Sequence, residues 1–145
     1  MYTKLEELID QILEKPYHVI DILPDQVMKD CAGQYFAAEE YFRTDERLRP
    51  LRAKFASIIL KLNCYYDLDV CFYPEEKWEK NPDPKTLEES IISMPQTKMA
   101  RFMLEAEEAM IDLDGCDTYM TVYGAGDELL CRAEELAKSE GLFVR

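Results

Sequence analysis

No two of the five cysteines, Cys31, Cys64, Cys71, Cys116 and Cys131, stand in a C-x-x-C spacing, and their number is odd. This argues against a disulfide framework and against a zinc ribbon, and it points to reduced thiols in a cytosol. Histidine occurs once, as His18. Ser/His/Asp or Cys/His catalysis would have to use it, yet no nucleophile string such as G-x-S-x-G accompanies it. A structural histidine is the commoner outcome. Glycine numbers 5 and proline 7, too few for a low-complexity linker. No internal repeat is visible. No apolar run approaches the roughly 18 residues of a membrane-crossing helix. The opening MYTKLEEL has acids where a signal peptide needs a basic and then an apolar run. Basic residues are in deficit, 17 against 30 acids, for a net charge of −13. Such a field repels nucleic-acid phosphate; it suits solubility and a basic partner.

Hydrophobic residues make up 48% of the 145 positions and charged residues 32%, which fits one globular domain over residues 1–145. The stretch from Met110 to Tyr123, MIDLDGCDTYMTVY, reads as a β-hairpin. Apolar and polar residues alternate on both sides of Gly115-Cys116-Asp117. One face carries Ile111, Leu113, Met120 and Val122 and belongs to a core. The other carries Asp112, Asp114, Tyr119, Thr121 and Tyr123, an aromatic and acidic set suited to binding.

Thr3 to Lys15 reads as a helix, with a capping box from Thr3 and Glu6 and Pro16 as its stop. Tyr17 to Leu23 reads as a buried strand closed by Pro24, and Asp25 to Gly33 as a loop. Gln34 to Arg43 mixes alanine and glutamate with paired aromatics, and the aromatics favour a strand. Pro50 to Tyr66 is the central helix, with Leu51, Phe55, Ile58, Ile59 and Leu62 on its apolar stripe. Leu68 to Tyr73 alternates as a strand. Glu75 to Lys85 reads as a loop holding Trp78. Thr86 and Glu89 repeat the capping-box pattern and open a short helix to Met94, ahead of Pro95. Met99, Phe102, Met103 and Ala106 are spaced for a helix, with strand as the alternative. After the hairpin, Asp127 is the expected N-cap of a last helix carrying Leu129, Leu130, Ala133, Leu136 and Ala137. Gly141 is its expected C′ residue, and Leu142 to Val144 a short edge strand. The order predicts an α+β fold: an antiparallel or mixed sheet of about five strands covered by helices, a two-layer sandwich.

The runs YHVIDILPDQV, LKLNCYYDL and EGLFV resemble a family of small cytosolic proteins from clostridial-type bacteria. The resemblance spans most of the chain and implies a bacterial cytosolic protein; no activity, cofactor or catalytic motif comes with it. Ile111-Asp112-Leu113-Asp114-Gly115 also resembles the first motif of haloacid-dehalogenase-type phosphatases. There, a strand delivers a nucleophilic aspartate and a second one two residues on. Two departures count against it. Cys116 replaces the usual threonine, and the stretch after Asp117 is short for the lysine and metal ligands that should follow.

Asp112, Asp114 and Asp117 echo a calcium loop, though the order D-x-D-G-x-D is not that of an EF-hand. They are a candidate weak site for a hard cation, against the commoner fate of aspartates as solvated turn residues. Gly124-Ala125-Gly126 precedes a helix but lacks the third glycine of a dinucleotide fingerprint, and Asp127 would repel phosphate. Arg47, Lys54 and Lys61 flank one side of the central helix's apolar stripe, with Arg52 on the other. They form a candidate site for an anion or acidic partner, or they pair with the protein's own acids, for instance Glu105, Glu107 and Glu108. No catalytic set and no cofactor motif is present. The sequence therefore predicts a cytoplasmic protein-binding or regulatory module that meets a basic partner or a second copy of itself. The alternative is a small enzyme or ligand-binding domain on the hairpin's acidic-aromatic face. Neither nucleic acid nor a membrane is an expected partner.

Overall fold

The computed structural model describes residues 3–27 and 36–145. The part of the predicted loop that covers residues 28–33, Cys31 included, lies outside them, as do the first two residues of the predicted strand at 34–43.

The first helix, α1 (Lys4–Leu13), opens with the expected capping box: the Glu6 amide donates to Thr3 Oγ1 at 3.2 Å and the Thr3 amide to Glu6 Oε2 at 2.7 Å. Strand β1 (Tyr17–Asp21) follows. Helix α2 (Phe36–Phe42) stands where a strand was expected. Its aromatics are not packed into a sheet: Phe36, Tyr41 and Phe42 are all exposed. Without burial to reward them, the helix propensity of Ala37, Ala38, Glu39 and Glu40 decides, helped by the Glu39–Arg43 pair at 3.0 Å.

The central helix α3 (Asp45–Asn63) starts a turn earlier than the proline implied and carries Pro50 inside it. Strands β2 (Asp69–Tyr73) and β3 (Lys77–Lys80) come next. The segment around Trp78 is thus an edge strand and not a loop. Apart from Trp78, β3 shows only charged side chains, which is why it lacks an alternating signature. Helix α4 (Pro84–Ile92) is capped by Asp83, which accepts from the Thr86 amide at 3.0 Å, with Pro84 in the first turn. The expected cap, Thr86, lies inside the helix instead.

Strand β4 (Met99–Leu104) replaces the helix suggested at 99–106, and only Glu105–Glu107 forms a short 3-10 turn. The hairpin is β5 (Ala109–Asp114) and β6 (Tyr119–Tyr123). Helix α5 (Asp127–Ser139) has Gly126 at its N-cap, with Asp127 one position further in. Gly141 follows with φ +75°, as expected of a C′ residue, and β7 (Phe143–Val144) completes the described elements.

The fold is α+β. Among the described residues, seven strands form one sheet in the order β3-β2-β4-β5-β6-β1-β7, all of its pairings antiparallel. Against the expectation of about five strands, the sheet gains β3 and β4 and loses the strand expected at 34–43. One face packs against the three helices α3, α4 and α5. Phe55, Ile58, Ile59 and Leu62 of α3 meet Ile20, Ala100, Phe102, Ile111, Leu113, Met120 and Val122 there. Among the described residues the other face is only partly covered. Helix α1 sets Ile9 and Ile12 on Met103 and Met110, with Trp78 and Tyr123 at the margins.

Candidate functional site

The hairpin divides its side chains as the alternation requires. Ile111, Leu113, Met120 and Val122 are buried in the main core. Asp112, Asp114, Tyr119, Thr121 and Tyr123 fall on the other face, but they do not act as one group.

Register places Trp78, Cys71, Arg101, Asp112, Thr121 and Val19 side by side across six strands. The neighbours Arg101 and Asp112 are joined by two hydrogen bonds: Nε donates to Oδ1 at 2.8 Å and Nη2 to Oδ2 at 2.9 Å. Both side chains are only 14% exposed, and the guanidinium lies 5.5 Å from the Tyr73 ring centre. The hydrogen bonds that Arg101 donates to Asp112 raise its pKa further above the ordinary value. Asp112 is therefore occupied by an internal partner.

Asp114 is exposed in the turn, where Oδ1 accepts from the Cys116 amide at 3.3 Å and from its Sγ at 3.2 Å. That thiol bond, together with burial and the charge of Asp117, pushes the Cys116 pKa up to about 11. Exposed Cys116 thus stays a thiol at neutral pH. Iodoacetamide at pH 7.5 is expected to label it slowly, and Asp114→Asn to speed labelling about tenfold. Equal rates in the two proteins would remove Asp114 as the cause.

Asp117 is half-buried, and burial first and Asp114 second hold its carboxyl above the usual range. A raised folded pKa means that the folded chain binds this proton more tightly than the unfolded one. That contribution is full below the unfolded pKa and is lost as pH rises through the folded value. At pH 7 ionised Asp117 therefore costs stability. Asp117→Asn is expected to raise the melting temperature at pH 7 by a few degrees, roughly 2–4 °C, with the gain gone near pH 3. A lower melting temperature at pH 7, or a gain independent of pH, would contradict this assignment.

The three carboxylates are not gathered as ligands. Both Asp112 oxygens face Arg101, and among the described residues no three His, Cys, Asp or Glu side chains converge on a point that would hold a metal.

Tyr119, Thr121 and Tyr123 line an open cleft of about 510 Å3 with Tyr17 of β1 and Phe42 of α2. The Tyr17 and Tyr123 rings lie 6.0 Å apart, and Tyr17 is 63% exposed. Burial raises the pKa of both the Tyr119 and Tyr123 hydroxyls, with Asp117 adding to the first and Asp112 to the second. Among the described residues, four charged groups border the cleft in two pairs. Arg43 donates to Glu39 at 3.0 Å, and Arg145 reaches buried Asp21 at 2.9 and 3.2 Å. His18 lies opposite Val122 in the β1–β6 pairing.

The basic set on α3 disperses. The Arg47 guanidinium sits 4.8 Å from the Tyr41 ring centre, Lys61 pairs with Glu140 at 3.6 Å, and Lys54 is exposed. Of the expected partners, Glu108 pairs with Lys15, at 3.6 Å. Arg52 is the residue that sequence reasoning missed. It is 4% exposed, and its Nη2 donates to the Gly115 carbonyl at 2.5 Å. It thereby ties α3 to the hairpin turn. Burial lowers its pKa, against the opposing charge of Asp45. Its one sequence signal was its place opposite Arg47, Lys54 and Lys61 on the helix.

No family model, no curated protein and no solved structure matches the chain. No helix among the described residues is long and apolar enough to cross a membrane.

Proposed function

We propose that the protein is a non-enzymatic, cytosolic binding module that uses the partly covered face of its sheet to hold a basic protein partner. One observation carries this reading: the cleft beside β1 and β6 leaves Tyr17 and Phe42 exposed and lines its wall with half-buried Tyr119 and Tyr123, where a fold needing only a core would have covered them. Tyrosines supply rigid contact area at low entropic cost, and an exposed aromatic group of this kind marks an interaction surface. The net charge of −13 adds long-range attraction for a basic surface. An enzyme or small-ligand domain on the same face is the competing reading. It would need an enclosed pocket with free polar groups. The breadth of this cleft and its paired charges favour the first reading.

The contact residues are Tyr17, Tyr119 and Thr121, with exposed Asp114 in the adjoining hairpin turn. Asp112 supports the face from within. Tyr123 also packs on the cluster under α1, so the better probe is Tyr17→Ala with Tyr119→Ala. Wild-type protein coupled to a resin is expected to retain a basic protein from native lysate, less so as salt rises. The double variant should lose it while giving up less than about 2 kcal/mol of stability. Retention undiminished in the double variant ends this proposal. Retention only of further copies of this chain, with a matching dimer in sedimentation, would replace the basic partner by self-association.

A further inference from the structure

The same sheet face has a second groove, on the other side of the Arg101–Asp112 pair. It lies between α1 and strands β2, β3 and β4 and has a volume of about 710 Å3. Tyr73, Trp78 and Ile9 give it an aromatic and apolar lining, and Glu6, Asp10 and Glu76 stand around it. Arg101 also lines it, but the guanidinium is held by both oxygens of Asp112 and offers no free charge to an anion. The charge left to a ligand is thus that of the three carboxylates. Glu6 is already turned toward the Thr3 amide, whereas Asp10 and Glu76 are exposed.

Trp78 has the most favourable ring for a cation. Its inner side packs against the cluster of Ile9, Ile12, Met103 and Met110, and it still borders the groove. A lone acidic patch would attract any cation. Carboxylates around an indole and a phenol, in a groove wide enough for several residues, select a cation with an apolar stem and a planar or alkyl head. We infer that this groove receives an arginine- or lysine-bearing segment of the partner, its cationic head over Trp78 and between Asp10 and Glu76. The inference rests on the reading of this sheet face as a partner surface and gives that partner's chemistry.

Trp78 is the single tryptophan of the chain, so its fluorescence reports on this groove alone. A blocked six-residue peptide of alternating glycine and arginine is the probe, with a glycine-serine peptide of equal length as reference. Titration is expected to give a saturable change in Trp78 emission and a matching heat in calorimetry, both weakened by salt. Asp10→Asn with Glu76→Gln should weaken binding roughly tenfold or more while the melting curve stays that of the wild type. The Tyr17→Ala/Tyr119→Ala protein should bind the probe as wild type does. No binding by either method, equal binding of the glycine-serine peptide, or full binding by the Asp10/Glu76 variant would overturn the inference. If it fails while the tyrosine variant still loses its partner, the groove is wrong and the cleft stands. If the probe binds while the tyrosine variant keeps its partner, the groove stands and the cleft is wrong.

Discussion

Arg101→Met is expected to lower stability by about 3 kcal/mol. The methionine would fill much of the same space. What it cannot do is satisfy Asp112, whose two oxygens both accept from Arg101 and whose side chain is 14% exposed. Breaking a buried pair leaves one charge without a partner in a medium that solvates it poorly, and that penalty exceeds the net worth of the pair. Asp112→Leu on the same background removes the stranded charge, so the double variant should recover most of the loss. Urea unfolding of the wild type, both single variants and the double variant gives the coupling directly. A loss below about 1 kcal/mol for Arg101→Met would mean that water reaches Asp112 freely, and the pair would then count as a surface one.

Gly115→Ala is expected to cost about 2–3 kcal/mol, from crowding and not from dihedral strain. An added Cβ would stand 2.2 Å from the Pro95 carbonyl oxygen, 2.8 Å from that of Lys98 and 3.0 Å from the Gln96 Cα. All three are backbone atoms, so no side chain can swing aside. The turn is held there by the Gly115 amide donating to Lys98 at 2.8 Å and by Arg52 donating to the Gly115 carbonyl. Pushing the turn away therefore weakens two hydrogen bonds as well. Gly141→Ala is the comparison. Its site is open, but its φ of +75° disfavours a side chain, so the expected loss is about 1 kcal/mol. Melting curves that rank Gly141→Ala as the more damaging change would refute the close-approach explanation.

These two sites show what the sequence could convey. The two faces of the hairpin were legible because period-2 alternation is local, and the capping box at Thr3 was legible for the same reason. The Arg101–Asp112 pair was not, because it depends on how β4 aligns with β5. Strand β4 was obscured by its own burial: α1 covers Met103 on one face while Phe102 and Leu104 enter the core on the other. A strand buried on both sides shows a nearly continuous apolar run, which fits a helix equally well. The aromatics of α2 misled in the opposite sense, since they are exposed and so carry no information about a sheet. The expected acidic-aromatic face was correct in composition and misjudged in unity: one of its acids is spent internally, one caps a turn, and the tyrosines border a cleft shared with β1.

Strand β1 lies between β6 and β7, so an early strand is flanked by two late ones. Its ion pair from Asp21 to Arg145 joins positions 124 residues apart. During synthesis β2 to β5 can pair with one another first, while Val19 and Ile20 wait without a partner until β6 and then β7 have been made. Strand β1 is thus made first and paired late. In the interval β1 carries two open edges, where a chaperone or a stray strand competes for the places that β6 and β7 will take.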